Sequence, residues 1–223
     1  RGLGDVYKRQ VMAAGTGGVE MKTILIATSN EGKVREMEQA FGQLPVRLVP
    51  LSRLQEIMPD PLHIEEPAED GTTFLENARI KAQYYMEQTG IAALADDSGL
   101  CVDALGGAPG VYSARYAGVH GDDGANNARL IAELSAIGEE NASAAYHCAL
   151  VLAFESGREL HAEGTCAGYI RPEARGTGGF GYDPYFYLEN GKSMAELTID
   201  EKHRVSHRGT ALQRMKELLE QIL

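Results

Sequence analysis

Hydrophobic and polar positions in the first part of the chain alternate between short β-branched runs and helical stripes. Residues 22–28 (KTILIAT) predict a buried strand, and the apolar spacing over residues 32–41 predicts a helix directly after it. Residues 46–50 predict a second strand. Residues 52–71 are rich in proline and acidic residues, so we expect an irregular, exposed connection there.

The middle of the chain predicts a long helix and then a strand that ends on carboxylates. Residues 73–76 (TFLE) have the form of a capping box, in which a hydroxyl and a carboxylate each bond a free backbone N–H at a helix start. We expect this helix to run to about residue 89, with Gly90 as its stop. Residues 91–95 predict a strand that ends at residues 96–99 (DDSG).

The second half predicts a helix, a hairpin and a closing helix. Residues 122–134 predict the helix, and residues 144–154 and 159–170 predict two long strands paired through a turn at residues 156–157. An amphipathic helix is expected from about residue 209 to 223. Its apolar stripe consists of Leu212, Met215, Leu218, Leu219 and Ile222. Strands and helices that interleave in this way predict an α/β domain with a mixed sheet.

Residues 1–20 differ in composition from the rest of the chain. They contain five glycines and no sustained periodicity of apolar residues, and the first strand pattern begins only after Met21. We therefore interpret Met21 as the natural start and residues 1–20 as a disordered or artefactual leader. Residues 21–223 are expected to form a single domain. The chain contains no run of about 18 apolar residues, which a membrane helix needs, so we expect a cytoplasmic protein without a membrane partner.

Charge and cysteine content narrow the classes of function. The formal net charge of -11, from 21 basic and 32 acidic residues, argues against a nucleic-acid partner. A small anionic substrate would need a local basic cluster or a divalent cation. Cys101, Cys148 and Cys166 are widely spaced without a C-x-x-C pair, so we expect small buried residues rather than a disulfide framework or a zinc site.

Residues 28–33 (TSNEGK) lie where the first predicted strand meets the first predicted helix. Such turns present free N–H groups and the positive end of the helix dipole, which suit a phosphate, and Lys33 adds a mobile charge. The full P-loop pattern is absent, so the segment is equally compatible with an ordinary capped turn.

Asp96 and Asp97 form the second candidate. Adjacent carboxylates repel each other, so a pair at a strand end needs a cation, hydrogen-bond donors or full solvation to stay ionised. Magnesium is the natural cation here, because it binds a few carboxylates together with phosphate oxygens and keeps water that can act as a nucleophile. A solvated turn is the alternative interpretation.

Polar residues around the long predicted helix form a third set. Glu69 precedes the helix, and Asn77 and Lys81 lie within it. Lys81 follows Asn77 by four residues, so the two share a helix face and can reach into a cleft. A lone helix lysine is more often simply solvated. Glu76 already has a structural role in the capping box.

Residues 176–184 (GTGGFGYDP) contain G-x-G-x-x-G. A dinucleotide-binding fingerprint must open a helix, whereas Pro184 follows and residues 185–187 (YFY) predict a strand, so we reject that interpretation. Glycines beside Phe180 and Tyr182 instead favour a backbone that approaches a flat ligand, with an aromatic ring to stack on a base. A tight turn with aromatic core residues is the simpler alternative.

Basic residues come together near the last predicted helix. Lys202 precedes residues 206–209 (SHRG), in which His207 and Arg208 carry donors suited to a base carbonyl or a phosphate. The helix dipole disfavours basic side chains in a first turn, and this departure from a local rule favours a functional role.

Taken in order, these motifs resemble those of the inosine triphosphate pyrophosphatase family, the house-cleaning enzymes for deaminated purine nucleotides. The matching segments are TSNEGK at 28–33, TFLENA at 73–78, DDSGL at 96–100, GGAPGVYSARYAG at 106–118, GTGGFGYDP at 176–184 and SHRG at 206–209. The resemblance covers residues 21–223 and has no counterpart for residues 1–20. It implies an α/β fold with an elongated mixed sheet, two lobes around a central cleft, a magnesium ion (Mg2+) and a homodimer.

The resemblance also implies an activity and a set of site residues. The activity is hydrolysis of ITP, dITP and XTP to the monophosphate and pyrophosphate. Asp97 is implied as the catalytic general base, and Glu69, Asp97 and Asp96 as the metal site. The implied triphosphate contacts are Thr28, Ser29, Asn30, Glu31, Gly32, Lys33 and Lys81. The implied nucleoside contacts are Ser98, Phe180, Gly181, Tyr182, Asp183, Lys202, His207 and Arg208.

Two other functions remain open at this point. A house-cleaning pyrophosphatase for pyrimidine or other modified nucleotides would carry similar triphosphate machinery. A nucleotide-binding regulatory module without catalysis is the alternative from another class, and the intact pair of Asp96 and Asp97 argues against it.

Overall fold

The computed structural model of the protein describes residues 21–58 and 64–223, which form an α/β fold around a six-stranded sheet. The strands are β1 (Lys22–Ile26), β2 (Val46–Pro50), β3 (Ala92–Val102), β4 (Ala142–Ala153), β5 (Glu159–Ile170) and β6 (Phe186–Tyr187). The α-helices of the described residues are α1 (Glu31–Phe41), α2 (Phe74–Thr89), α3 (Asp123–Ala136), α4 (Ile199–Val205) and α5 (His207–Glu220). The predicted leader, residues 1–20, lies outside the described residues.

The sheet is mixed, as the sequence predicts. Its strand order is β2-β1-β3-β4-β5-β6. Strand β1 is parallel to β2 and to β3, and the pairs from β3 to β6 are antiparallel. The last pair between β1 and β3 joins Ile26 to Leu94, because β1 ends at Ile26 and the chain then enters the TSNEGK turn. Beyond Leu94, therefore, β3 continues beside β4 while β1 no longer pairs with it.

Strand β3 is longer than predicted. The expectation that the strand ends at residue 95 is wrong, because β3 runs through Asp96 and Asp97 to Val102. The apolar pattern resumes at Leu100, and antiparallel pairing with β4 continues across both carboxylates. The two aspartates therefore lie inside a strand and not in a turn.

The two faces of the sheet are covered by different helices. Helices α1 and α5 pack on one face against residues such as Ile24 and Leu150. Helix α2 packs on the other face against residues such as Leu25 and Ala149. Side chains of consecutive strand residues point to opposite faces, so each strand contributes to both cores. Burial of each large aliphatic side chain contributes about 1.5–3 kcal/mol.

The remaining apolar residues cluster under α3. This third cluster includes Leu100, Leu130, Tyr182 and Phe186. It joins the far part of β3 to the segment that carries the GTGGFGYDP motif.

The helix boundaries follow the predicted capping signals closely. Thr73 and Glu76 form the capping box of α2, and Gly90 ends the helix in the left-handed region at φ 67°. Helix α5 begins at His207, two residues before the predicted start. Helix α4 was not predicted, although Thr198 begins a capping box of the same kind.

The segment predicted as an exposed connection is partly ordered and buried. Leu51–Glu56 forms a 3-10 helix, in which Leu54 is buried. Ile57 and Met58 pack against the core below α2, because the segment carries apolar residues between its prolines. Residues 59–63 of this segment lie outside the described ranges.

The three cysteines are free. Cys148 and Cys166 are buried as predicted, whereas Cys101 is only partly buried. Within residues 21–58 and 64–223, none of the helices combines the length and hydropathy needed to span a bilayer.

Candidate active site

Most of the predicted site residues line a single cleft. Those that line it are Thr28, Ser29, Asn30, Lys33, Glu69, Lys81, Asp97, Ser98, Phe180, Gly181, Tyr182, Asp183, Lys202, His207 and Arg208. Glu31, Gly32 and Asp96 do not line it. The structure thus brings together segments that are up to 180 residues apart in sequence, from Thr28 to Arg208.

The TSNEGK turn forms one wall of the cleft and begins α1. The Asn30 side chain caps the helix by accepting a hydrogen bond from the Lys33 backbone N–H at 3.1 Å. A Cβ on Gly32 would lie 2.7 Å from the Phe180 ring, so any other residue there would require the ring to shift. The turn that suits phosphate therefore lies directly beside the aromatic residue of the distant glycine-rich segment.

Asp96 points to the α5 face of the sheet, where it binds basic groups. Its carboxylate lies 3.1 Å from the Lys33 ammonium and 3.2 Å from the Arg208 guanidinium. Burial alone would raise the pKa of Asp96, but Lys33 and Arg208 outweigh burial and hold its pKa well below the usual range. Asp96 is therefore an ionised, buried partner of two cations.

Asp97 points to the opposite face, toward α2. Its carboxylate accepts a hydrogen bond from the Asn77 amide at 3.0 Å and lies 3.8 Å from the Lys81 ammonium. Burial raises the pKa of Asp97 to about 6, although Lys81 and Lys33 lower it and Glu69 adds to the rise. A carboxylate with a pKa near 6 is suited to accept a proton at neutral pH.

Because consecutive strand residues face opposite sides, Asp96 and Asp97 contact different partners. The expectation that the pair lies at a strand end is wrong, whereas each carboxylate does contact a cation or a hydrogen-bond donor, as expected. Glu69 shares a cation with Asp97, since Glu69 lies 3.1 Å from the same Lys81 ammonium. Asp97, Glu69 and Lys81 thus form the acidic centre of the cleft.

The donor set of this centre fits a magnesium ion. In the part of the chain that the structure describes, no three His, Cys, Asp or Glu side chains are grouped closely enough to hold a metal by themselves. Magnesium needs only one or two carboxylates when phosphate oxygens and water complete its shell. Asp97 and Glu69 already face one positive charge, that of Lys81, so hard oxygen donors converge on a cation position.

A buried ionic network lies at the other end of the cleft. The Glu36 carboxylate is 2.8 Å from the Arg208 guanidinium and 3.1 Å from the Lys202 ammonium. Lys202 also lies 2.8 Å from Asp183 and 4.3 Å from the centroid of the Phe180 ring. The network fixes two cations next to an aromatic face, an arrangement that suits a planar heterocycle.

The aromatic residues of this end differ in burial and in their contacts. Phe180 is half-buried and lines the cleft, so its ring can stack on a base. Tyr182 is only 4% exposed, and its hydroxyl donates to the Ser113 carbonyl at 2.7 Å, which makes it mainly a core residue. His207 is buried and stacks on Tyr146 at 4.6 Å between ring centroids.

His207 is neutral at pH 7. Burial lowers its pKa well below the ordinary value of 6.5, and the nearby Arg208 and Lys202 lower it further. Its Nδ1 atom is buried without a hydrogen-bond partner among the described residues. This buried ring nitrogen therefore has an unused hydrogen-bonding capacity.

A family model described as the Ham1 family matches residues 24–218. The chain belongs to the Ham1 family. The family resemblance carried by the sequence motifs is thereby confirmed.

Relatives of the Ham1 family resemble the chain over nearly its whole length. A protein of Geobacillus kaustophilus named dITP/XTP pyrophosphatase is 47% identical over 204 residues, which are 91% of this chain and 97% of that one. A protein of the same name from Bacillus anthracis is 46% identical over 200 residues, 88% of this chain and 96% of that one. Among solved structures, a HAM1 protein from Coxiella burnetii has a TM-score of 0.79 and 38% identity, covering 90% of this chain and all of that chain. A nucleoside-triphosphatase, dITP/XTP pyrophosphatase, from Mycobacterium abscessus has a TM-score of 0.68 and 44% identity, and the match covers 86% of this chain and 98% of that chain.

Several cleft residues of this Ham1 chain were missed by sequence reasoning. They are Glu66, Arg115, Asp123 and Tyr146 in the lining, with Glu36 directly behind it. Glu36 sits in a polar helical stretch and carries no sequence signal of burial. Arg115 lies in the segment 106–118 that supports the family resemblance, so that segment was the available signal.

Proposed function

We propose that the protein hydrolyses deaminated purine nucleoside triphosphates, namely ITP, dITP and XTP, to the monophosphate and pyrophosphate. The observation that carries the proposal is the single cleft, which joins a helix start and an acidic centre to a cation-lined aromatic pocket. A nucleoside triphosphate has matching parts, a polyanionic tail and a planar base. The names of the relatives that match the chain, dITP/XTP pyrophosphatase, support the same conclusion.

We also propose that Asp97 and Glu69 hold magnesium. When bound, the ion would neutralise phosphate charge and make the phosphorus more electrophilic. Asp96 was expected near the metal from the family resemblance, and that role stays a prediction. Its carboxylate is already paired with Lys33 and Arg208, so we leave it out of the proposed ligand pair.

The side chains of the cleft can divide the chemical work between them. Asp97 accepts the proton of the attacking water, since its carboxylate lines the cleft and is held in place by the Asn77 amide at 3.0 Å. Lys33 and Lys81 line the cleft near this carboxylate and stabilise the charge of the departing pyrophosphate. The capped start of α1 presents backbone N–H groups to the phosphate chain.

Base selection is assigned to the buried end of the cleft. Hypoxanthine and xanthine carry an oxygen at position 6, where adenine carries an amino group. Arg208 offers N–H donors, and neutral His207 can present one N–H, so both favour the oxygen. Phe180 supplies the stacking face.

The test is a substrate panel with magnesium, read separately for pyrophosphate and for orthophosphate. ITP and XTP should be cleaved much faster than ATP, GTP and TTP. The products should be the nucleoside monophosphate and pyrophosphate. Preferred cleavage of TTP would assign the protein instead to pyrimidine house-cleaning. Binding of ITP without any pyrophosphate release would favour the regulatory module, and release of orthophosphate would contradict the proposed bond cleavage.

A homodimer, a cytoplasmic location and the absence of nucleic-acid partners remain predictions. Two large apolar residues beside the cleft, Tyr112 and Val119, are 58% and 65% exposed, which supports an association surface at that end. Light scattering of the purified protein should give twice the mass of the chain. A monomeric mass at all concentrations would remove the homodimer proposal.

A further inference from the structure

The basic side chains that line the cleft differ in whether they form ion pairs with carboxylates. Five lysine and arginine side chains line it, and four of them already form ion pairs with carboxylates. These pairs are Lys33 with Asp96, Lys81 with Glu69, Lys202 with Asp183 and Arg208 with Glu36. Among the described residues, no carboxylate forms an ion pair with the fifth cation, Arg115. Its guanidinium contacts the Glu69 backbone carbonyl at 3.4 Å and the face of the Tyr112 ring at 5.2 Å.

Arg115 lies at the acidic end of the cleft. The carbonyl that it contacts belongs to Glu69, whose carboxylate is 3.1 Å from the Lys81 ammonium. Lys81 in turn faces Asp97. The guanidinium is therefore next to the proposed centre of hydrolysis, whereas Lys202 and Phe180 mark the other end.

The segment that carries Arg115 is held firmly against β3. The Ser113 hydroxyl accepts a hydrogen bond from the Leu100 backbone N–H at 2.9 Å and donates one to the Gly110 carbonyl at 2.6 Å. A Cβ on Gly99 would lie 2.5 Å from both the Gly110 carbonyl oxygen and the Ser113 hydroxyl oxygen, so the segment contacts the strand directly. Arg115 thus belongs to a segment that is attached to β3, the strand that carries Asp97.

We propose that Arg115 binds the terminal phosphates of the substrate and the pyrophosphate that leaves. The inference rests on the proposed function and extends it by one residue. A triphosphate brings several negative charges into a cleft in which Lys33, Lys81 and the other two cations each also face a carboxylate. Arg115 faces no carboxylate among the described residues, so its charge is available to phosphate, and its planar pair of donors matches two phosphate oxygens better than a lysine does.

Direct binding of inorganic pyrophosphate, in the presence of magnesium chloride, tests the assignment. Isothermal titration calorimetry would compare the wild type with Arg115→Gln, Arg115→Lys and the control Arg158→Gln. Arg158 is an exposed arginine in the β4–β5 turn that does not line the cleft, so the control removes the same charge elsewhere. Each protein is also titrated with inosine monophosphate and melted thermally.

Arg115→Gln should weaken pyrophosphate binding by about tenfold or more, the loss expected for a hydrogen bond between charged groups. Its affinity for inosine monophosphate and its melting temperature should stay close to those of the wild type. The pyrophosphate affinity of Arg115→Lys should fall between those of the wild type and Arg115→Gln, and that of Arg158→Gln should match the wild type.

Equal pyrophosphate affinity in the wild type and Arg115→Gln would overturn the assignment. A parallel loss of pyrophosphate affinity, monophosphate affinity and melting temperature would also overturn it, because that pattern indicates a purely structural role. If the wild type cleaves no ITP but binds pyrophosphate in an Arg115-dependent manner, the proposed function fails while the phosphate contact stands.

Discussion

Replacement of Glu36 by glutamine tests whether the buried ionic network holds the base end of the cleft together. Glu36 is 8% exposed and contacts both Arg208 and Lys202, which are themselves buried. Glutamine keeps the shape of the side chain and removes its charge. The substitution therefore leaves two buried cations with less compensation while it changes packing little.

The expected loss can be worked out from the partners that remain. Removal of one partner of a buried ion pair costs about 3–5 kcal/mol. Arg208 keeps Asp96 and Lys202 keeps Asp183, so we expect Glu36→Gln to lose about 3 kcal/mol, the lower end of that range. For a chain of this length, that loss corresponds to a fall of about 6–12 °C in the melting temperature.

Thermal and urea unfolding of Glu36→Gln and Glu38→Gln would measure the effect. Glu38 lies on the same helix and pairs with Arg53 at 2.9 Å, with its side chain 40% exposed. Exposed pairs of this kind contribute about 0–1 kcal/mol, so Glu38→Gln controls for loss of a carboxylate from α1. Equal destabilisation by the two substitutions would refute the argument.

The stability loss caused by Glu36→Gln should also depend on pH. Burial alone would raise the pKa of Glu36, but Arg208 and Lys202 outweigh burial and lower its pKa below the ordinary value of 4.5. A carboxylate with a lowered folded-state pKa stabilises the fold above its unfolded pKa and loses that contribution as the pH falls. The stability difference between wild type and Glu36→Gln should be largest above pH 4.5 and should narrow at lower pH. A gap that does not change with pH would contradict this assignment of charge.

Three further predictions follow from single contacts. Asp97→Asn should retain ITP binding and lower kcat by about a hundredfold to ten-thousandfold, and near-normal pyrophosphate release would remove Asp97 from the role of base. Gly99→Ala should destabilise the protein by about 1–3 kcal/mol in urea unfolding, because the added methyl group meets Ser113, whereas Gly124→Ala, with its nearest neighbour 3.6 Å away, should not. Thr73→Ala should cost about 1 kcal/mol through loss of the capping box, and an unchanged unfolding midpoint would contradict that role.

Local signals in the sequence were enough to predict most helices and strands. The capping box at Thr73 and the stop at Gly90 predicted the bounds of α2, because both signals act on the nearest backbone groups. The mixed α/β sheet followed from the order of such elements. Helix α4 was missed although its own capping box begins at Thr198, so that omission was avoidable.

Contacts between distant segments could not be predicted in the same way. Strand β3 continues past residue 95 because β4 pairs with it, and no local pattern contains that information. The burial of Glu36 depends on Arg208, which is 172 residues away in the sequence. The opposite orientations of Asp96 and Asp97 would have followed from strand periodicity alone, had the pair been assigned to a strand.

The central position of Asp97 in the sheet limits how the protein can move during turnover. Asp97 pairs with Ala149 in the long β3–β4 ladder, and backbone held in this way opens only in large, rare fluctuations. The backbone that carries the proposed proton acceptor therefore stays in place during turnover. Any gating that admits nucleotide or releases product therefore has to occur in the segments that border the cleft, such as residues 176–184.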